Sequence, residues 1–103
     1  MYVLVTSAKS APGKGRETNA LFVEFAEYLN RACPPASPFR VYRELFGNRD
    51  TIHITSGWDS LADIERFYAF MAQDEGAMKR FKEWNGSSLP VPGSGDTTVL
   101  IAL

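Results

Sequence analysis

The chain has 103 residues, 45% of them hydrophobic and 22% charged, which suits one small globular domain spanning residues 1–103. Lys and Arg number 11 against 12 Asp and Glu. That balance excludes the basic excess needed to bind a nucleic-acid backbone and the polybasic stretch of a membrane anchor. Cys33 is the single cysteine, so no internal disulfide can form and no cysteine cluster can hold a metal.

Residues 2–7, Tyr-Val-Leu-Val-Thr-Ser, are β-branched and aromatic, and predict a strand. Their apolar run is nearly continuous, which points to cover on both faces. The same opening segment lacks the charged start and cleavage site of a secretion signal, so the expected setting is cytoplasmic. Pro12-Gly13-Lys14-Gly15 breaks the strand. It is a turn into a helix, because the spaced glycines and Lys-Ser or Lys-Thr ending of a phosphate loop are absent.

From Arg16 to Ala32 the apolar residues Leu21, Phe22, Phe25, Ala26, Tyr28 and Leu29 form one helical stripe. Pro34-Pro35 ends that helix. Phe39 to Phe46 reads as a second strand, with Phe39, Val41, Arg43 and Leu45 on one face and Arg40, Tyr42, Glu44 and Phe46 on the other. Gly47 to Asp50 turns into a third strand, Thr51 to Gly57, which pairs antiparallel with the second.

Ser60 and Asp63 open a second helix in capping-box fashion, carrying Leu61, Ile64, Phe67, Tyr68 and Met71 at helical spacing. Asp74-Glu75-Gly76 is a candidate break, after which Ala77, Met78, Phe81 and Trp84 resume the pattern. Residues 85–95, with three Gly, two Pro and three Ser, form a loop. Thr97 to Leu103 closes the chain as a strand.

The order is strand, helix, strand, strand, helix, strand. This predicts an α+β, ferredoxin-like βαββαβ fold: a four-stranded antiparallel sheet with both helices on one face. The other face is expected to expose large apolar residues, and a second copy of the chain is the expected cover.

The candidate catalytic residues are His53 and Arg43. His53 is the single histidine and suits the role of a base; the alternative is a hydrogen-bonded interior or interface histidine. Arg43 interrupts an apolar strand face and suits a planar anion, or else an acid across the dimer. Tyr42, Trp58 and Tyr68 are the candidate substrate-binding residues; the competing role for Trp58 is a packing anchor at a strand–helix corner. Cys33 has no His or Asn placed to activate it and is expected to be unreactive. No metal ligand set and no cofactor are expected.

Pro12-Gly13-Lys14 entering a long helix resembles the first junction of the dimeric α/β-barrel superfamily. Val41-Tyr42-Arg43-Glu44-Leu45-Phe46-Gly47, and Trp58-Asp59-Ser60-Leu61-Ala62 entering a helix, resemble its NIPSNAP-like and antibiotic-biosynthesis-monooxygenase-like branches. The resemblance covers most of the chain. It implies a homodimer whose two sheets face one another as a barrel, with the helices outside. Monooxygenase-like members often carry a histidine in the helix after the tryptophan, and haem-degrading members an asparagine on the first strand; this chain has neither.

The expected function is therefore the binding of a hydrophobic or aromatic small molecule between sheet and helices, in a dimeric protein, with cofactor-independent monooxygenase or isomerase chemistry. There His53 would act as base, Arg43 or Tyr42 as anion stabiliser and Trp58 as pocket wall. The alternative is a non-catalytic dimerisation or ligand-sensing module.

Overall fold

The structure, a computed structural model, describes all of the residues Met1–Leu103. Strand β1 is Tyr2–Lys9, followed by helix α1 (Gly15–Ala32), β2 (Ser37–Arg43) and β3 (Thr51–Trp58). Helices α2 (Leu61–Gln73) and α3 (Glu75–Gly86) precede the last strand, β4 (Asp96–Ile101). The strands form one antiparallel sheet in the order β2-β3-β1-β4, so β1 and β3 are central and β2 and β4 are edges. This is the expected ferredoxin-like α+β arrangement.

Each helix has a local cause. In α1, Thr18, Phe22, Ala26 and Leu29 recur at spacings of four, four and three, and all four are buried. The Thr18 hydroxyl donates to the Lys14 carbonyl at 2.8 Å, tying down the first turn. At the start of α2, the Ser60 hydroxyl accepts from the Asp63 amide at 3.1 Å. The expected second helix is in fact two. The chain leaves helical geometry at Asp74, whose carboxylate accepts from the Ala77 amide at 3.0 Å and so caps α3.

The core lies between the sheet and the helices. Leu4, Ala26, Leu29, Phe39, Trp58, Ile64 and Phe67 form its main cluster. Phe39, Trp58 and Phe67 meet with ring centroids 5.3–6.0 Å apart, in tilted and edge-on contacts. Burying one such side chain is worth about 1.5–3 kcal/mol. A smaller cluster of Ala8, Phe22 and Ile52 lies towards the other end of the sheet, with Trp84 packed edge-on to Phe22 at 4.7 Å.

Two expectations are corrected here. The second strand stops at Arg43, not Phe46. Leu45 and Phe46 lie in the connection to β3, 73% and 88% exposed. The alternating pattern ran on past the strand because nothing in it marks where pairing ends. What ends it is the turn through Gly47, whose φ of 110° is open to glycine and strained for other residues.

The second correction concerns the bare face of the sheet. Strand register sorts most of the large apolar residues onto the helix side: Tyr2, Leu4, Phe39, Val41, Ile52, Ile54 and Trp58. The open side is arranged in rows across the strands. One row is Leu100, Val3 and Gly57; the next is Thr98, Val5, Thr55 and Arg40; the third is Asp96, Ser7, His53 and Tyr42. Its apolar residues gather at one end, and the other end is polar. No broad apolar patch is present.

The 85–95 segment is fastened rather than slack. Ser10 bridges Pro90, and the Ala11 and Val91 amides donate to the Leu89 and Lys9 carbonyls.

Candidate functional site

Helix α1 packs over β2 and β3, and α2 over β3, whereas α3 rests on α1 and α2. No helix closes over β4. A cavity of about 510 Å³ results, within the ~300–1,000 Å³ common for small-molecule sites. Its floor is Leu4 and Thr6 of β1, Ile54 and Ser56 of β3, and Thr97 of β4. Its walls and roof come from Phe22, Phe25 and Leu29 of α1, Phe67, Tyr68 and Met71 of α2, and Met78, Phe81 and Trp84 of α3. Of 16 lining residues, 13 are hydrophobic. The polar tips are hydroxyls, from Thr6, Ser56, Tyr68 and Thr97; no His, Asp, Glu, Lys or Arg lines the space. The exposed side chains of β4 leave it open along that edge.

The roof is latched to the rest of the molecule. The Tyr28 hydroxyl donates to the Asp74 carboxylate, the same group that caps α3. This hydrogen bond holds Asp74 below the usual carboxylate range and pushes the Tyr28 hydroxyl up. Arg80 of α3 stacks over the Tyr28 ring, 3.9 Å from its centroid. Its guanidinium forks onto Glu24 of α1 at 2.6–3.0 Å, and that hydrogen bonding keeps Glu24 low and Arg80 high.

The open face of the sheet holds a second polar constellation. Ser7 and His53 face each other across β1 and β3. The Ser7 hydroxyl lies 2.6 Å from His53 Nδ1, and His53 Nε2 lies 3.2 Å from Glu44 Oε2. The other Glu44 oxygen accepts from the Asn48 amide at 3.4 Å. The His53 contact first, and the Asn48 amide second, hold the Glu44 carboxyl below its ordinary range.

The residues singled out in the sequence do not converge on one pocket. Tyr68 sits half-exposed at the cavity lip. Trp58 is buried in the core beside it, with its indole N–H donating to Ser56 at 2.8 Å. His53 and Tyr42 are cross-strand neighbours on the opposite face of the sheet. Arg43 ends β2, exposed and outside every ion pair. Cys33 is a free thiol, pushed up by burial. Ser7 is unmarked in the sequence, because a lone serine in a strand carries no signal until its cross-strand partner is known.

No helix is long and apolar enough to cross a membrane, and no three His, Cys, Asp or Glu side chains group to hold a metal ion. No family model and no curated protein matches the sequence. Solved structures do match. An uncharacterized NIPSNAP domain protein from Burkholderia xenovorans superimposes with a TM-score of 0.79 at 10% identity, covering 100% of this chain and 95% of that one. A NIPSNAP-like domain protein from the same organism gives 0.76 at 16% identity, covering 99% and 84%. An antibiotic biosynthesis monooxygenase gives 0.73 at 13% identity, covering 100% and 99%. At such identities the likeness is one of fold, and this chain has the ferredoxin-like fold of NIPSNAP-domain and antibiotic-biosynthesis-monooxygenase-like proteins.

Proposed function

We propose that the chain binds a hydrophobic, aromatic small molecule in the cavity between sheet and helices. The observation that carries this is the cavity itself: about 510 Å³, walled by aromatic and aliphatic side chains, with a few hydroxyls to orient a polar substituent. Cofactor-independent oxygenation is the chemistry such binding would serve. The cavity would hold an aromatic substrate in one orientation and strip water from it. The monooxygenase name of one fold neighbour supports this reading. Isomerisation asks for a proton acceptor, and His53 stands on the other side of the sheet. The lack of any acid or base in the cavity lining favours the second reading, a ligand-sensing module that binds without turnover.

A thermal-shift screen with phenols, quinones and acyl compounds tests the binding. A raised melting temperature is expected with one aromatic class, and Thr6→Phe, which fills the floor, should abolish the shift. No shift across the panel, or a shift unchanged in Thr6→Phe, would overturn the assignment.

We also propose that a second copy of the chain packs on the open sheet face; the apolar end carrying Val3, Val5 and the half-exposed Leu100 supports this reading. Leu100→Lys should turn a dimer into a monomer in sedimentation. The single free cysteine suits a reducing, cytoplasmic setting.

A further inference from the structure

We propose that Ser56 is the ligand-positioning donor of the cavity, and that its hydroxyl selects uncharged aryl carbonyl compounds over matching hydrocarbons and over carboxylates. The proposal rests on the binding of an aromatic ligand in that cavity, and adds which chemical group of the ligand the site reads.

Ser56 differs from the other hydroxyls of the lining in burial and in pairing. It lies on the central strand β3, opposite Leu4 of β1, with 3% of its surface exposed. Its oxygen accepts the indole N–H of Trp58 at 2.8 Å. An indole nitrogen is a donor only, so the Ser56 proton cannot point back at it. No protein group accepts that proton. Ser56 lines the cavity floor, so the group that accepts it can be a bound ligand. The indole is itself held, packed against the rings of Phe39 and Phe67 with centroids 6.0 and 5.3 Å away. A fixed bond on one side of the oxygen narrows the directions left to the proton on the other.

The remaining hydroxyls sit nearer to water. Thr6 and Thr97 are cross-strand partners at the β4 side, where the cavity is open, and Thr97 is exposed. Tyr68 is half-exposed at the lip. Water satisfies such groups whichever ligand is bound, so they discriminate little. The buried Ser56 donor has no such recourse once the cavity is filled.

Three ligand types then fare differently. A hydrocarbon expels the water that would otherwise accept from Ser56 and leaves the hydroxyl unpaired. A carboxylate can accept the proton, but no Lys, Arg or His lines the cavity, so its charge loses its water without a counter-charge. A carbonyl on an aromatic frame meets both conditions. It is uncharged, it accepts, and its flat frame suits the aromatic walls.

The test compares fluorenone, fluorene and fluorene carboxylate, one tricyclic frame with three polar endings, by calorimetry on the whole protein. Fluorenone should bind more tightly than fluorene, the reverse of their order of transfer from water to oil, and the carboxylate most weakly. Ser56→Ala should weaken fluorenone about 10-fold and leave fluorene unchanged. A merely structural role would weaken both alike. Infrared spectra of bound fluorenone give a readout in the unaltered protein. Its carbonyl stretch should fall below that in an apolar solvent, as hydrogen bonding weakens the C=O bond. Fluorene binding as tightly as fluorenone, a carbonyl stretch like that in an apolar solvent, or an equal loss of both ligands in Ser56→Ala would overturn the role of Ser56 while leaving the cavity as a ligand site. Binding of none of the three would overturn both.

Discussion

The two faces of the sheet are made by alternate residues of the same strands, yet their chemistry is opposite. Thr6 looks into an apolar cavity with no acid or base, while its neighbour Ser7 looks into a histidine–carboxylate pair. Binding volume and proton-handling groups are thus separated by the thickness of one sheet. A residue's worth as a site candidate depends here on which face its strand parity assigns it, more than on its type.

The helix face is expected to carry the stability. Trp58→Ala should cost about 3–5 kcal/mol, since it empties a buried aromatic site and strands the Ser56 hydroxyl. Urea unfolding measures it. A loss below about 1 kcal/mol would mean that the helix face does not carry the stability.

Next in size is Gly76→Ala. A β-carbon there meets the Tyr28 hydroxyl and pushes it from Asp74. Overpacking costs about 1–3 kcal/mol, and the better helix former returns about 0.5–1. A net loss of roughly 1 kcal/mol is expected, together with weaker binding of cavity ligands, because α3 is the roof.

The acid limb of stability sharpens the contrast further. Asp74, Glu24 and Glu44 are all held below their ordinary values of 3.8, 4.5 and 4.5. A depressed folded value stabilises the native state above the unfolded value, and that gain is lost as pH falls through the folded one. The melting temperature should hold down to about pH 5 and fall below about pH 4. Asp74→Asn should lower the plateau and flatten part of the fall. A fall of full size in that variant would mean that the Tyr28–Asp74 contact adds nothing to stability.

The smallest effect belongs to the open face. His53→Ala should change stability by about 1 kcal/mol or less, because water can replace a partner for the part-buried Ser7 hydroxyl.

Local signals read well from the sequence because the periodicities of two and 3.6 are local. The stripe through Phe22, Ala26 and Leu29, the Ser60 cap and the break at Asp74 all stand where the residues put them. The sheet faces read poorly. Their register across β1 and β3 is set by long crossovers rather than by a hairpin, and a one-residue slip exchanges the faces. Ser7 meets His53 from 46 residues away, so neither residue marks the other. The sequence points to a site between sheet and helices, but its lining depends on where α3 settles after Asp74, which no local pattern encodes.

The edges of the sheet carry a last consequence. The β2 edge is guarded by Pro38, Arg40 and Arg43, which discourage another strand from pairing there. The β4 edge, Asp-Thr-Thr-Val-Leu-Ile, has one charge at its start and no proline, and all its side chains are exposed. Its free main-chain groups form a template for strand addition. Fibrillar association in concentrated or partly unfolded protein should therefore grow from β4, and a charge or proline at Val99 should blunt it.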